Sequence, residues 1–220
     1  MNKASADPKA QLAEQGFAGP FRALGADEAG AALERLLEDP EFLPRPDPMQ
    51  WRNRHHDTPV LRELATLPSI SAVAREAWGQ DLVLWRSQLF GLSQFNWHCD
   101  RYPDELDPPE TLTVHLALTD YDESVGVLFQ PGSHRPELPR SAWGPPTVQV
   151  LAAGEFLVFH HLVLHASAAR FHPRWQQPRP IFTPPSRQRC AVALRIARAG
   201  VRQLHRAYAE TPERAGGLAI

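Results

Sequence analysis

Lysine is nearly absent from this chain. Lys3 and Lys9 are the only two, and arginine supplies the rest of the 23 basic residues. Against 25 acidic residues these leave a formal net charge of -2, which lacks the electrostatic footprint of a nucleic-acid partner. Two cysteines, Cys99 and Cys190, are too few for a disulfide framework, so a reducing, cytoplasmic setting is expected. No apolar run reaches the ~20 residues of a membrane-spanning helix. The opening residues, MNKASADPKAQL, lack the apolar core of a secretory signal, so no membrane partner is expected. No internal repeat is visible, and nothing in the sequence bears on oligomeric state.

What is present is an ordinary globular composition in 220 residues, enough for one domain with a sizeable core. Its 22 prolines favour loops and short strands over long helices. Residues 1–79 read as a helical lead-in. A short helical run covers Gln11 to Gln15 and ends at Gly16. Residues 26–38 read as an amphipathic helix with Asp27 and Glu28 in its first turn, where the helix dipole favours acids. Pro40 to Pro48 reads as a loop. Residues 59–78 give two helices broken at Pro68, capped at Ser69 or Ser71 and stopped by Gly79.

After Gly79 the period changes from helical to strand-like. Strands are expected at 82–90, 111–118, 125–130, 147–151, 156–160 and 190–196, separated by Gly, Pro, Asp and Asn clusters. Helices followed by several short strands point to a mainly β domain, a jelly-roll or similar double-sheet barrel over residues 80–198, with a tail at 199–220. Two long insertions, Arg101–Glu110 and Phe171–Arg187, are candidate lids.

The chemistry centres on Asn96-Trp97-His98-Cys99-Asp100. On an extended segment His98 and Asp100 share one face, Cys99 points the other way, and Trp97 can wall the site. One imidazole and one carboxylate on one face make two thirds of the facial triad that holds non-haem Fe(II). His165 is the best candidate for the third ligand. It competes with His160 and His161, whose spacing to it also suits a zinc cluster, and with His134 in the Pro131-Gly132-Ser133-His134 turn. In Arg189-Cys190-Ala191-Val192-Ala193-Leu194-Arg195 the two arginines and the alanines share one strand face. Small alanines between arginines leave room for a ligand, and a guanidinium there can grip a carboxylate.

These pieces together resemble the phytanoyl-CoA dioxygenase family of Fe(II)/2-oxoglutarate-dependent oxygenases. The matching segments run in the family's order: LWRSQLF, WHCD, HLALTDYDESVGVLFQPGSH, AGEFLVFHHLVLH and RCAVALR, within residues 82–195. The insertion at 171–187 lengthens the usual short step from the distal histidine to the arginine. The resemblance implies a double-stranded β-helix (jelly-roll, cupin-like) core with N-terminal α-helices. It implies Fe(II) held by the catalytic set His98, Asp100 and His165, with 2-oxoglutarate and O2 as cosubstrates. By motif position Arg189 binds the distal carboxylate of 2-oxoglutarate, with Gln88 and Ser133 as supporting contacts. Arg86, Trp97 and Arg195 are candidate contacts to a small-molecule substrate. The implied activity is oxidation of a C–H bond, hydroxylation foremost, in a setting such as natural-product biosynthesis. Two other readings stay open: a jelly-roll binding protein without catalysis, and a zinc hydrolase built on His160, His161 and His165.

Overall fold

The computed structural model describes residues 7–39, 52–173, 183–203 and 218–220. The expected loop from Pro40 to Pro48, residues 174–182 of the second insertion and residues 204–217 of the expected tail lie outside the described residues.

Helix α1 spans Pro8–Gln15, starting earlier than its apolar pattern suggests. The Asp7 carboxylate accepts from the Lys9 and Ala10 amides at 2.9 and 3.1 Å, and Pro8 takes the first turn, where its missing N–H costs nothing. Gly16 ends the helix at φ 89°, and a Cβ there would come within 2.6 Å of the His134 ring. Strand β1 (Phe17–Arg22) follows at once. The sequence reading missed it because Gly19 and Pro20 read as a breaker. As the edge strand of its sheet, β1 tolerates a proline and a register shift between Ala18 and Phe21.

Helix α2 covers Ala26–Glu38, with Glu28 reaching back to the Gly25 amide at 2.7 Å. Helices α3 (Pro59–Ala65) and α4 (Pro68–Trp78) complete the lead-in. Pro68 starts α4 rather than only ending α3, and the cap position is Leu67; neither Ser69 nor Ser71 caps it, and Ser71 is buried inside the helix. Gly79 stops α4 at φ 110°.

The strands are β2 (Leu82–Phe90), β3 (Leu106–Asp107), β4 (Leu112–Ala117), β5 (Val127–Phe129), β6 (Thr147–Gln149), β7 (Glu155–His160), β8 (His165–Ser167), β9 (Ala191–Arg198), β10 (Arg202–Gln203) and β11 (Leu218–Ala219). Six form one antiparallel sheet in the order β1-β7-β4-β9-β2-β11. Three form a smaller sheet, β6-β5-β8. This is the jelly-roll arrangement of two facing sheets, mainly β with helices packed outside. Residues 218–219, expected as tail, return as an edge strand on β2.

Alternation along the central strands decides what faces what. Leu112, Val114 and Leu116 of β4, with Val192, Leu194 and Ile196 of β9, join Leu33, Leu36, Leu61 and Ile70 of the helices in one apolar core. These side chains are fully or almost fully buried, so truncating any leucine to alanine costs roughly 2–5 kcal/mol. The opposite face looks toward the small sheet. At one end Ala117, Leu157, Phe159 and Ala191 pack with Val127 and Phe129 in a second core. The other end stays hollow.

Strand β2 changes phase within its length. Leu84 pairs with Ile196 but Arg86 pairs with Arg195, so Trp85 is an extra residue in the ladder. Leu82, Leu84 and Leu89 therefore all reach the helical core, while Arg86, Gln88 and Phe90 turn to the hollow interior.

Candidate metal centre

His98 and His165 face each other across a single antiparallel bridge between the 96–100 segment and β8. The His98 amide donates to the His165 carbonyl at 3.0 Å, and the His165 amide returns the bond at 2.9 Å. This sets the two ring centroids 4.2 Å apart. Each ring is oriented locally: His98 Nδ1 lies 2.7 Å from the Asn96 carbonyl, and His165 Nδ1 lies 3.0 Å from the Val163 carbonyl. A carbonyl only accepts, so both Nδ1 atoms carry a proton, and in the neutral form of each ring the lone pair is on Nε2. That is the tautomer a metal ligand needs.

Asp100 completes the group. The ligand atoms of His98, Asp100 and His165 all lie within 4.8 Å of one another. Asp100 is buried, and Thr113 donates its hydroxyl to Oδ2 at 2.9 Å. Arg195 Nη2 lies 3.0 Å from the same oxygen and the Tyr102 hydroxyl 3.3 Å from Oδ1. Burial alone would raise the pKa of Asp100. Arg195 foremost, then His165, His98 and the Thr113 hydrogen bond, outweigh it and hold the carboxyl well below the usual carboxylate range. Burial pulls His165 down to about 4, so its Nε2 is unprotonated at neutral pH. Two imidazoles and one carboxylate, converging with free lone pairs and open space beside them, fit a divalent metal of the non-haem iron type.

Next to the triad lies a cavity of about 270 Å³. Its floor is the inward face of β9, with Ala191, Ala193 and Arg195 in line as the alternation of the sequence implies, and Arg189, just before the strand, at its end. The two arginines differ in state. Arg195 pairs with Asp100 through Nη2, and its Nε and Nη1, like those of Arg189, are buried without a partner among the described residues. Arg189 lies with its guanidinium 3.0 Å from the centre of the Tyr121 ring and donates Nη2 to the Val125 carbonyl at 3.0 Å. Its Nε and Nη1 are buried without a partner among the described residues. Burial lowers its pKa to about 9, which leaves it cationic at neutral pH. A buried cation with two unused donors is a site for an anionic ligand.

Gln88 and Arg86 both line the cavity. Gln88 Nε2 is buried without a partner among the described residues. Arg86 is ion-paired with Glu105 and held between the Trp85 and Tyr102 rings, 4.4 and 4.7 Å from their centres. Because of the extra residue at Trp85, Trp85 lies beside Arg86 rather than across the sheet from it.

Other expected site residues lie elsewhere. Trp97 is exposed, with its ring 6.2 Å from that of Phe171, and does not line the cavity. With His98 turned inward its neighbour turns out, and Phe95 supplies the wall instead, 5.5 Å from the His98 ring. Ser133 also lies off the cavity: its hydroxyl donates to the Gln130 carbonyl at 2.7 Å and accepts from the Leu164 amide at 2.9 Å, fixing the chain that enters β8. Arg195, expected as a substrate contact, does line the cavity and pairs there with Asp100. Cys99 gives its thiol to the Leu162 carbonyl at 3.3 Å.

His160 and His161 stack on each other at 4.3 Å beside Trp78. His160 Nδ1 accepts from the Leu162 amide, and His161 Nδ1 lies 3.3 Å from the Thr111 carbonyl. His134 Nε2 donates to the Ala13 carbonyl. Among the described residues, the histidines that converge with an acid are His98 and His165 alone. His115, which lines the cavity, was missed by sequence reasoning. The signal was available, since Leu112, Val114 and Leu116 on one face of β4 leave Thr113 and His115 on the other.

A family model described as phytanoyl-CoA dioxygenase (PhyH) matches residues 12–171. No curated protein sequence matches the chain. Among solved structures, the non-haem monooxygenase ThoJ in complex with nickel aligns with a TM-score of 0.69 at 22% identity, over 90% of this chain and 80% of that one. CytC3 with Fe(II) and α-ketoglutarate aligns with a TM-score of 0.68 at 22% identity, over 96% and 82%. The epimerase SnoN, in complex with Fe3+, α-ketoglutarate and nogalamycin RO, aligns with 0.69 at 19% identity, over 97% and 94%. At these identities the structural likeness speaks for the fold. The family match runs from α1 through β8 and takes in His98, Asp100 and His165, and on it the chain belongs to the phytanoyl-CoA dioxygenase family.

Proposed function

We propose that this protein is an Fe(II)- and 2-oxoglutarate-dependent oxygenase that oxidises a C–H bond of a small molecule, hydroxylation foremost. The observation that carries the reading is the convergence of His98, Asp100 and His165 beside a buried arginine, Arg189, with unused donors. Family membership and the Fe(II) and α-ketoglutarate complex of CytC3 support it.

In this reading iron and 2-oxoglutarate, once bound, supply oxygen activation coupled to conversion of the cosubstrate to succinate and CO2. The chain's own residues do the rest. His98 and His165 offer Nε2 lone pairs held in place by their Nδ1 bonds. Asp100 offers a carboxylate kept ionised by Arg195. Arg189 anchors the distal carboxylate of the cosubstrate across the open floor of Ala191 and Ala193, with Gln88 alongside. Phe90, Phe95 and Phe159 exclude water from the same space. A cavity of about 270 Å³ suits a small substrate beside the cosubstrate. Arg86 borders the remaining volume and is the candidate contact for an anionic substrate group. Family members that halogenate have a small residue in place of the metal carboxylate; Asp100 fills that position, and a chlorinated product from the wild-type protein would count against the reading. Among the described residues no helix is long and apolar enough to cross a membrane, in keeping with a cytoplasmic enzyme.

The test is anaerobic reconstitution with Fe(II) and 2-oxoglutarate, watching for the weak visible charge-transfer band of the chelate. Screening small molecules for substrate-dependent succinate release in air would follow. Absence of both the band and 2-oxoglutarate binding would overturn the reading.

A further inference from the structure

Four arginines line the cavity: Arg52, Arg86, Arg189 and Arg195. Two carboxylates answer them, Asp100 beside Arg195 and Glu105 beside Arg86. In the reading above, a divalent metal and a dianionic cosubstrate cancel each other. Two positive charges then remain in a space walled by phenylalanines, and nothing described so far neutralises them.

Three of the arginines form a corner on the metal side. Arg195 of β9 lies directly opposite Arg86 of β2. Arg52 lies opposite Gln88, the next inward residue of β2, across an isolated bridge. The Asn53 amide fixes that approach by donating to the Ser87 carbonyl at 2.8 Å. Residues paired across neighbouring strands share a face, so the three side chains turn to one space. Burial foremost lowers the pKa of Arg86, and the charges of Arg52 and Arg195 push it the same way.

The three are answered unequally. Arg86 has Glu105 and the Trp85 and Tyr102 rings. Arg52 is half-buried, so solvent meets part of its charge. Arg195 is buried and gives only Nη2 to Asp100, while its Nε and Nη1 have no partner among the described residues. Buried donors on a cation are costly to leave unmade, and an acceptor for them has to come from the cavity.

We propose that this corner receives the carboxylate of an acidic substrate, which accepts from the unused donors of Arg195 and stands in the field of Arg86 and Arg52. The substrate is then a small carboxylic acid in its free form, since an ester or amide of the same acid brings no charge to set against the corner. One guanidinium serves both the metal carboxylate and the substrate. The oxidised carbon therefore lies near the acid group rather than at the far end of a long chain. The inference rests on the 2-oxoglutarate reading.

The test is anaerobic calorimetry on protein loaded first with Fe(II) and then with 2-oxoglutarate. If wild type takes up no 2-oxoglutarate, the cosubstrate reading itself fails, separately from this inference. The probes are butyrate, hexanoate, phenylacetate and benzoate, each beside its primary amide. At least one acid should bind the loaded protein, with its amide about tenfold weaker or more. Arg195→Gln should weaken that acid about a hundredfold and leave the 2-oxoglutarate Kd unchanged at saturating Fe(II). Arg52→Gln, which touches neither Asp100 nor the core, should weaken it about tenfold and answers for the corner if the Arg195 variant does not fold. Acids that bind no better than their amides would overturn the proposal. So would an acid that displaces 2-oxoglutarate instead of binding beside it, or variants that bind the acid as wild type does.

Discussion

Arg195 Nη2 lies 3.0 Å from Asp100 Oδ2, so the carboxylate of the metal group has a buried cationic partner of its own. Both side chains are nearly inaccessible, 7% and 5% exposed, and neither charge could stay there alone. The pair keeps Asp100 ionised before any metal arrives.

The first prediction follows from that pairing. Arg195→Met should lower the stability of the metal-free protein by about 3–5 kcal/mol, the usual cost of stranding one partner of a buried pair. Urea unfolding under chelator measures it. The double variant Arg195→Met/Asp100→Leu should recover much of the loss, because nothing charged is left behind. No recovery would mean that packing, not charge, sets the cost.

The two arginines should separate cleanly in cosubstrate binding. Arg189→Ala should raise the 2-oxoglutarate Kd about a hundredfold, as expected for a lost charge-assisted bidentate pair on the order of 3 kcal/mol. Iron binding should stay intact. Arg195→Ala, measured at saturating Fe(II), should leave that Kd nearly unchanged. The reverse ranking would make Arg195 the anchor.

Metal content should follow the bridge rather than the histidine pair on β7. His98→Ala, Asp100→Ala and His165→Ala should each lose Fe(II) in an anaerobic titration. His160→Ala and His161→Ala should retain it. Iron lost from the His161 variant and kept by the His165 variant would reassign the third ligand.

Acid should destabilise the apo protein through histidines outside the metal group. His115 and His160 both have folded pKa values of about 3, set first by burial, below the unfolded value of about 6.5. As pH falls the unfolded chain takes up these protons first. Stability is therefore full above about 6.5 and is lost progressively toward 3, at up to about 1.4 kcal/mol per pH unit for His115. Urea midpoints between pH 7.5 and 5 should drop, and His160→Leu should flatten the slope. An unchanged slope in that variant would mean that His160 titrates freely in the folded state.

The insertion Arg101–Glu110 carries Tyr102 and Glu105 to Arg86 at the cavity edge. The return of the second insertion packs on Gly91, whose amide donates to the Thr183 carbonyl at 2.9 Å. Both segments should gain protection from hydrogen exchange when substrate binds. No change in either at saturation would end their candidacy as lids.

Much of this arrangement is legible in the sequence because it rests on alternation. The period-two patterns of β4, β7 and β9 point to strands with two distinct faces, and they place Arg189, Ala191, Ala193 and Arg195 on one side. What alternation cannot show is where it is broken or whom a side chain meets. The extra residue at Trp85 reverses the phase of β2, and only the pairing of its neighbours, Leu84 with Ile196 and Arg86 with Arg195, reveals it. Strand β1 hides behind Gly19 and Pro20 because edge position excuses a proline, and edge position is a tertiary fact. Ser133 and Trp97 look like site residues by proximity in sequence to histidines. Their contacts, to Gln130 and Leu164 in one case and Phe171 in the other, depend on how the turns close. That Arg195 meets Asp100, 95 positions away, has no local signature at all.

The bridge between His98 and His165 ties the metal group to the closure of the fold. The two histidines belong to segments far apart along the chain, and they meet only when the backbone there has zipped. A metal held by both would act as a clasp across that seam, and the seam in turn would set how tightly the clasp holds. Residues that touch no metal would then govern its retention: Ser167, whose amide and hydroxyl bond to the Phe95 carbonyl and amide one step along the same seam, is the first of them.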